Sequence, residues 1–173
     1  MIRTLLIILV LLLSACVPAD RTPVYQNDFF KFPLRSDWKV KTGSLATGSN
    51  ALNYYRLDLE IIVQVYRSNS NDTITIAKRV LPTGSGLEKE FEATYQKIQK
   101  EIRKDTQGEG IMDQQKALVR EYERPWGEPW IRFRDVWIEK GGTIFVLSCK
   151  STLTPSQETT EMMKAIEAGI HFK

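Results

Sequence analysis

Cysteine and histidine are scarce in this 173-residue chain, which has two cysteines and one histidine. A zinc site needs several His or Cys ligands, and a Ser-His-Asp centre needs a histidine held against a nucleophile. The single histidine, His171, lies next to Phe172 at the C-terminal end. We therefore expect no catalytic residues, no metal site and no cofactor, and the sequence predicts a protein that is not an enzyme.

An excess of charge of one sign is also lacking. The chain has 24 basic and 21 acidic residues and a formal net charge of +3. Nucleic-acid-binding domains concentrate basic residues on one face, and no long basic run occurs here. The sequence Gly84-Ser85-Gly86 is too short for a phosphate-binding loop. We expect no nucleic-acid partner.

A long apolar run occurs only near the N-terminus, at residues 5–13. Its nine residues are too few for a bilayer-spanning helix, which needs about 20. Arg3 precedes the run and small residues follow it. This order of charge, apolar run and small residues is typical of a secretory signal, and we expect residues 1–15 to form a signal peptide.

The motif that ends this segment, Leu13-Ser14-Ala15-Cys16, resembles the lipobox of bacterial lipoproteins. In that family the cysteine thiol receives diacylglycerol, the signal is removed before it, and the new N-terminus is acylated, typically with palmitate. The resemblance implies lipidation of Cys16 and a membrane partner bound through that lipid. In enteric-type sorting, aspartate after the cysteine retains a lipoprotein at the inner membrane. Val17 stands there, so an envelope location facing the periplasm is expected, with the outer membrane favoured. The alternative is a plain cleaved signal with an incidental cysteine.

Residues 17–27 contain two prolines and no apolar period, which predicts a tether. We therefore divide the chain into a signal (1–15), a lipidated cysteine with its tether (16–27) and a single domain (28–173). Eleven extended residues reach about 36 to 40 Å, so the domain is expected close to the membrane.

If Cys16 carries lipid, Cys149 has no disulfide partner, and a lone thiol in an oxidising compartment is usually buried. We expect Cys149 to be buried and inert.

A β-hairpin over residues 130–150 is the predicted centre of this domain. Apolar side chains occupy both faces of its second arm, so both faces need cover. Gly141 and Gly142 supply the positive φ angles that a tight hairpin turn requires. In the first arm the apolar side chains change from one face of the strand to the other near Arg134 and Asp135, which favours a β-bulge there.

Two helices and further strands are predicted around this hairpin. Ser85 and Glu88 match a capping box, followed by an apolar stripe that predicts a core-packed helix. Thr154 is the expected N-cap of a second helix, with Pro155 at its first position and Gly169 at its end. The stripe residues are Leu87, Phe91, Tyr95, Ile98 and Ile102, and the further strands are predicted at residues 28–33, 38–40, 57–67, 73–81 and 116–124.

The order of these elements resembles the PsbP-like and DcrB-like group of proteins. The resemblance is carried by Phe30-Lys31-Phe32-Pro33, by Trp38-Lys39-Val40, by the Thr143-Ile144-Phe145-Val146-Leu147-Ser148 strand before a proline-capped helix, and by the terminal Ile170-His171-Phe172. It implies an α+β fold, an α/β sandwich in which helices flank a central antiparallel β-sheet in a single domain. It also implies an extracytoplasmic accessory protein that binds or stabilises another component.

The candidate partner contact is the connection that precedes the central hairpin. Trp126 and Trp130 lie there between and beside two prolines, flanked by Arg124 and Arg132. Tryptophan and arginine dominate binding hot spots, and proline reduces the entropy lost when a loop is fixed. The alternative is that both indoles cover the sheet edge as core, with the arginines paired to nearby acids.

These observations predict a membrane-anchored envelope lipoprotein that acts as a non-catalytic binding or accessory module for an envelope protein or component. The alternative is a small-molecule or lipid carrier that uses a cleft between helix and sheet. The fold does not fix the function, so a binding site on the domain has to be identified to decide between these two functions.

Overall fold

A computed structural model describes residues 22–42, 59–125 and 127–173. The predicted signal peptide, Cys16 and Trp126 lie outside the described residues. Within them the chain forms strands β1 (Val24–Gln26), β2 (Phe30–Pro33), β3 (Lys39–Thr42), β4 (Glu60–Tyr66) and β5 (Thr73–Val80), helix α1 (Leu87–Ile98) with a 3-10 turn (Gln99–Glu101), strands β6 (Arg103–Met112), β7 (Gln115–Pro125), β8 (Trp130–Lys140) and β9 (Thr143–Ser151), helix α2 (Gln157–Gly169) and strand β10 (His171–Phe172).

The described strands form two antiparallel sheets. The larger has seven strands in the order β3-β4-β5-β9-β8-β7-β6, and the smaller has three in the order β1-β2-β10. The predicted central hairpin is confirmed as β8 and β9, which pair from Arg132↔Ser151 to Lys140↔Thr143. Gly141 (φ 58°) and Gly142 (φ 72°) form its turn, as the tight turn requires.

The predicted fold class, an α+β sandwich with a central sheet flanked by helices, is wrong. Strands make up 51% of the described residues and helices 21%. Helix α1 covers one face of the large sheet, but a second sheet shares the cover of the other face with α2. Phe32 of β2 and Phe172 of β10 belong to the buried cluster on that face, and the Phe172 and Phe145 ring centroids are 4.5 Å apart.

The small sheet begins before the predicted start of the domain. Residues 24–26, which the sequence assigns to the tether, pair with β2 from Val24↔Pro33 to Gln26↔Lys31. The C-terminal residues complete the sheet through Phe172↔Phe30. Both ends of the described chain therefore meet in one sheet.

Helix α1 has the predicted apolar face but different ends. Leu87, Phe91, Tyr95 and Ile98 are buried, which confirms that this stripe packs into the core. The helix ends at Ile98, four residues before the predicted stripe does. The capping box is wrong because the N-cap is Gly86 without a side-chain bond, and Ser85 Oγ instead donates a hydrogen bond to Glu90 Oε1 at 2.5 Å.

Helix α2 begins two residues later than predicted. Ser156 is its N-cap and accepts a hydrogen bond from the Thr159 amide at 3.1 Å; Thr154 does not serve this role. The helix ends at Gly169 as predicted. A Cβ at Gly169 would lie 2.7 Å from Pro33 Cδ, so glycine there permits close contact between α2 and β2.

Strand β6 was not predicted from the sequence. Nearly all its residues are exposed or half-buried, so it carries no apolar alternation. It forms through its pairing with β7, including Gly108↔Val119 and Gly110↔Ala117.

The predicted β-bulge at Arg134 and Asp135 is also wrong, because the register of β8 is continuous with both neighbours. The break in the apolar alternation has a different cause. Asp135 is fully buried beneath α1, at a position where the alternation would place an apolar residue. It accepts hydrogen bonds from Tyr95 Oη at 2.7 Å, Tyr122 Oη at 3.0 Å and Ser148 Oγ at 2.6 Å.

This carboxylate joins helix α1 to three adjacent strands. Trp137 Nε1 donates to Tyr95 Oη at 3.0 Å, so the network also holds the largest side chain of this core. A buried polar network stabilises a unique packing only when its members are satisfied. The hydroxyl donors meet that condition here.

We predict that Asp135→Ala lowers the free energy of unfolding by at least about 3 kcal/mol, because each buried donor left unsatisfied costs about 1 to 3 kcal/mol. Ser148→Ala removes one donor and should cost about 1 kcal/mol. Urea unfolding followed by tryptophan fluorescence measures both. Equal losses in the two variants would contradict a central role for Asp135.

Candidate functional site

Trp130 is the described tryptophan of the predicted contact. It opens β8 opposite Pro125, the last residue of β7, so the predicted connection joins two paired antiparallel strands. Its side chain is half-buried, and the Arg103 guanidinium carbon lies 3.9 Å from its ring centroid. This distance is typical of a cation–π contact.

The two predicted arginines do not lie together. Arg132 pairs across the strands with Glu123, and Arg124 with Ile131. Because neighbouring strand residues point to opposite faces, Arg124 lies on the α1 face and Arg132 on the other. Arg124 forms an ion pair with Glu101 at the end of the 3-10 turn, so the structure separates it from Trp130 and Arg132.

Beyond Trp130, the face that carries Arg132 bears a row of ion pairs, which we call the charged ladder. Its members are Arg103, Lys104, Glu121, Glu123, Arg132, Arg134 and Glu167. Glu123 accepts from Arg103 at 2.8 Å and from Lys104 at 2.9 Å. Glu121 lies 2.5 Å from Arg132 and 2.6 Å from Arg134. Each of these two glutamates thus bridges two cations.

The ladder continues from the sheet onto helix α2. Arg134 Nε lies 2.9 Å from Glu167 Oε1, and Arg134 Nη2 lies 3.2 Å from Glu167 Oε2. This fork-to-fork arrangement is the strongest geometry of an arginine–carboxylate pair. It fixes α2 against β8 where the apolar core ends.

The ion pairs shift the pKa values of three members of the ladder. Burial acts to raise the pKa of Glu121, but hydrogen bonds from Arg132 and Arg134 outweigh it and hold that pKa below its ordinary value. The pKa of Glu123 is lowered chiefly by its hydrogen bond from Lys104. Hydrogen bonding to Glu167 is the main cause that raises the pKa of Arg134.

A cleft of about 340 Å³ lies beside the ladder, between α2 and strands β8 and β9. Arg132, Arg134 and Lys164 contribute positive charge to its walls, while Cys149, Ser151 and Met163 belong to its buried lining. A second depression of about 210 Å³ shares Glu121 and Arg132 with it and reaches Lys104 and Leu153. The two depressions therefore share part of their lining.

Cys149 is buried in the cleft lining, as predicted, and burial is the main cause that raises its pKa to about 12. Because only the thiolate is a strong nucleophile, this thiol is unreactive at neutral pH.

His171 lies away from the cleft. Its Nδ1 is 3.2 Å from Asp113 Oδ1, and Asp113 also accepts from Lys140 Nζ at 2.7 Å and from the Phe172 amide at 3.1 Å. Burial acts to raise the pKa of Asp113, but these donors outweigh it and lower that pKa. Asp113 thereby holds β10 in place.

Among the described residues, no group of three or more His, Cys, Asp or Glu is placed to hold a metal ion. Neither α1 nor α2 is long and apolar enough to cross a bilayer.

The glutamates of the ladder were not identified from the sequence. Glu121 and Glu123 on β7, and Arg132 and Arg134 on β8, are spaced by two residues. Pairing the two predicted strands about the connection would have placed these charges opposite one another. Glu167 had no such signal, because its contact depends on where α2 packs.

We predict that the protein loses stability in acid. A carboxyl group whose pKa is depressed on folding contributes stability that is present above its unfolded pKa and lost as the pH falls through the folded value. Asp113 and Glu121, with ordinary values of 3.8 and 4.5, place this loss below about pH 4.5. Urea unfolding from pH 7 to pH 3 measures it.

Glu121→Gln should make this acid dependence shallower, and Glu128→Gln, at an exposed position outside the ladder, should leave it unchanged. A pH dependence that is the same in all three proteins would contradict the role of Glu121.

Comparisons with known proteins show similarity in structure only. No protein-family model matches this sequence, and no curated protein matches it. The solution structure of cyanobacterial PsbP (CyanoP) from Synechocystis sp. PCC 6803 matches with a TM-score of 0.60 and 10% identity, over 91% of this chain and 97% of that chain. The crystal structure of LpqN, involved in cell envelope biogenesis of Mycobacterium tuberculosis, matches with a TM-score of 0.58 and 11% identity, over 90% of this chain and 87% of that chain.

At these identities the matches establish the fold and leave the function open. No enzyme family is indicated by them. The DcrB-like part of the resemblance stays a prediction, whereas the two structures agree with its PsbP-like part: this chain has a PsbP-like fold.

Proposed function

We propose that this protein is a non-catalytic accessory protein of the bacterial cell envelope and that it binds another envelope component through the charged ladder and Trp130. The observation that carries the proposal is the exposed row of arginines on one face of the sheet. Arg103 and Arg132 have side chains that are 45% and 44% exposed, and Lys104 is 70% exposed. The fold shared with LpqN, which is involved in cell envelope biogenesis, supports the envelope setting.

The ladder is better suited to recognition than to stability. Ion pairs of exposed side chains contribute only about 0 to 1 kcal/mol each, so the exposed cations of the ladder, Arg103, Lys104 and Arg132, add little to folding. However, its shared carboxylates hold Arg132 and Arg134 in fixed orientations. A side chain that is already ordered loses less entropy when a partner binds.

Trp130 adds an apolar anchor at the end of this row. Its ring is partly covered by Arg103, and tryptophan and arginine are the residue types that carry most binding energy at interfaces. Trp126 belongs to the same proposed contact by its position four residues earlier. Arg124 does not, because it lies on the opposite face.

We expect Trp130→Ala and Arg132→Ala to lose a partner in affinity capture. The full-length parent protein and the two variants are each captured from lightly crosslinked, detergent-solubilised envelope. Arg35→Ala is the matched control, since Arg35 is 40% exposed and is likewise an ion-paired arginine on the surface. A partner recovered with the parent and with Arg35→Ala, and lost from the other two, supports the proposal. Equal recovery from all four proteins contradicts it.

The membrane anchor is a separate part of the proposal. The lipobox resemblance supports lipidation of Cys16, and Val17 favours the outer membrane in cells that follow the enteric sorting rule. An anchored domain would present the ladder to components close to the membrane surface.

Labelled palmitate should therefore be incorporated into the parent protein and not into Cys16→Ser, which should leave the membrane fraction. Cys149→Ser should be labelled like the parent, because that thiol is buried. Membrane association of Cys16→Ser equal to that of the parent would contradict the anchor.

A carrier function is the second candidate, and the cleft beside α2 favours it. The cleft lies between the C-terminal helix α2 and strands β8 and β9, and its lining residues determine which ligand chemistry it suits.

A further inference from the structure

The cleft has the dimensions of a small-ligand site. Its volume of about 340 Å³ falls at the lower end of the range of about 300 to 1,000 Å³ that is usual for such sites. At about 30 Å³ for each water-sized group, it has room for on the order of ten non-hydrogen atoms. This excludes a whole bilayer lipid and allows a short molecule.

Two apolar side chains belong to the buried part of the cleft lining. Met163 and Cys149 are 3% and 7% exposed, and both belong to the large buried cluster on this face of the sheet. Burial keeps the thiol neutral, so neither side chain brings charge to the lining. An apolar group placed against them would gain about 0.8 kcal/mol for each buried CH₂.

The walls of the cleft carry an excess of one positive charge. Arg132, Arg134 and Lys164 supply three, and Glu121 and Glu167 remove two. Arg134 is satisfied by both glutamates. Lys164 is exposed and forms no ion pair within the described part of the chain, and Arg132 uses one of its nitrogens for Glu121, which leaves further donors of its guanidinium.

Hydroxyl groups complete the polar part of the lining. Ser151 and Thr160 donate their protons to the backbone carbonyls of Thr152 and Ser156. They therefore offer oxygens rather than protons to a ligand. Recognition of an anion has to come from Lys164 and Arg132, and these are the groups with donors to spare.

We propose that this cleft binds a singly charged anionic amphiphile with a short apolar chain. Its head lies between Lys164 and Arg132, and its apolar chain lies against Met163 and Cys149. This ligand site is additional to the partner contact proposed for Trp130 and the ladder. Lys164 and Met163 belong to the cleft alone, so they separate the two proposals.

Methyl NMR of the full chain tests this site directly, with labelled methionine and with the protein in nanodiscs of neutral phosphatidylcholine. Met163 reports on the cleft, and Met112, which is fully buried and outside the cleft lining, is the internal control. Octanoate is the probe because it has a carboxylate and ten non-hydrogen atoms. Octanol lacks the charge, and acetate lacks the chain.

We expect octanoate to shift the Met163 signal in a saturable manner and to leave Met112 unchanged. Octanol and acetate should not saturate it at the same concentrations. Lys164→Ala should weaken octanoate binding by about tenfold, the size expected for loss of one charge-assisted contact. Lys97→Ala, an exposed lysine on the other helix, should bind octanoate like the parent.

Several results would overturn the proposal. Saturation by acetate with equal affinity would show an adventitious anion only, and saturation by octanol would show an apolar cavity without charge selection. An unchanged Met163 signal, or equal affinity in Lys164→Ala, would exclude the site. None of these results affects capture of a partner through Trp130, so the two proposals can fail separately.

Discussion

The structure depends on one constraint, which is that both faces of the β8–β9 hairpin have to be covered. Trp137 and Val146 lie on one face, and Val136 and Leu147 lie on the other. A strand that is apolar on both faces is stable only between two layers. Helix α1 supplies the first layer from a single continuous segment.

The second layer is assembled from distant parts of the chain. Helix α2 covers part of the face, and the rest is covered by β2 and β10, which come from opposite ends of the domain. Their pairing places Phe30 opposite Phe172, and both rings are buried. The domain therefore closes only when its last strand has paired with one of its first.

The ladder and Asp135 occupy different places relative to these two layers. The ladder lies where α2 ends its contact with β8, and Glu121 and Glu123 each hold two cations, which limits the cost of partial burial. Asp135 lies under the other layer, fully buried but surrounded by hydroxyl donors. Hydrogen bonds retain the carboxylate of Asp135 beneath α1. Ion pairs and contact with water retain the charged side chains of the ladder beside α2.

Local patterns in the sequence were enough to predict the central hairpin and the apolar stripe of α1, because each depends on the order of neighbouring residues. Tertiary structure decided the rest. Strand β6 is polar and exists because β7 offers it hydrogen bonds, and Val24–Gln26 became a strand because β2 was available as a partner. Pairing also placed Arg124 and Arg132 on opposite faces and brought Glu167 to Arg134. Such contacts join residues far apart in the chain, and their free energy is gained only when the layers pack, so no local pattern records them.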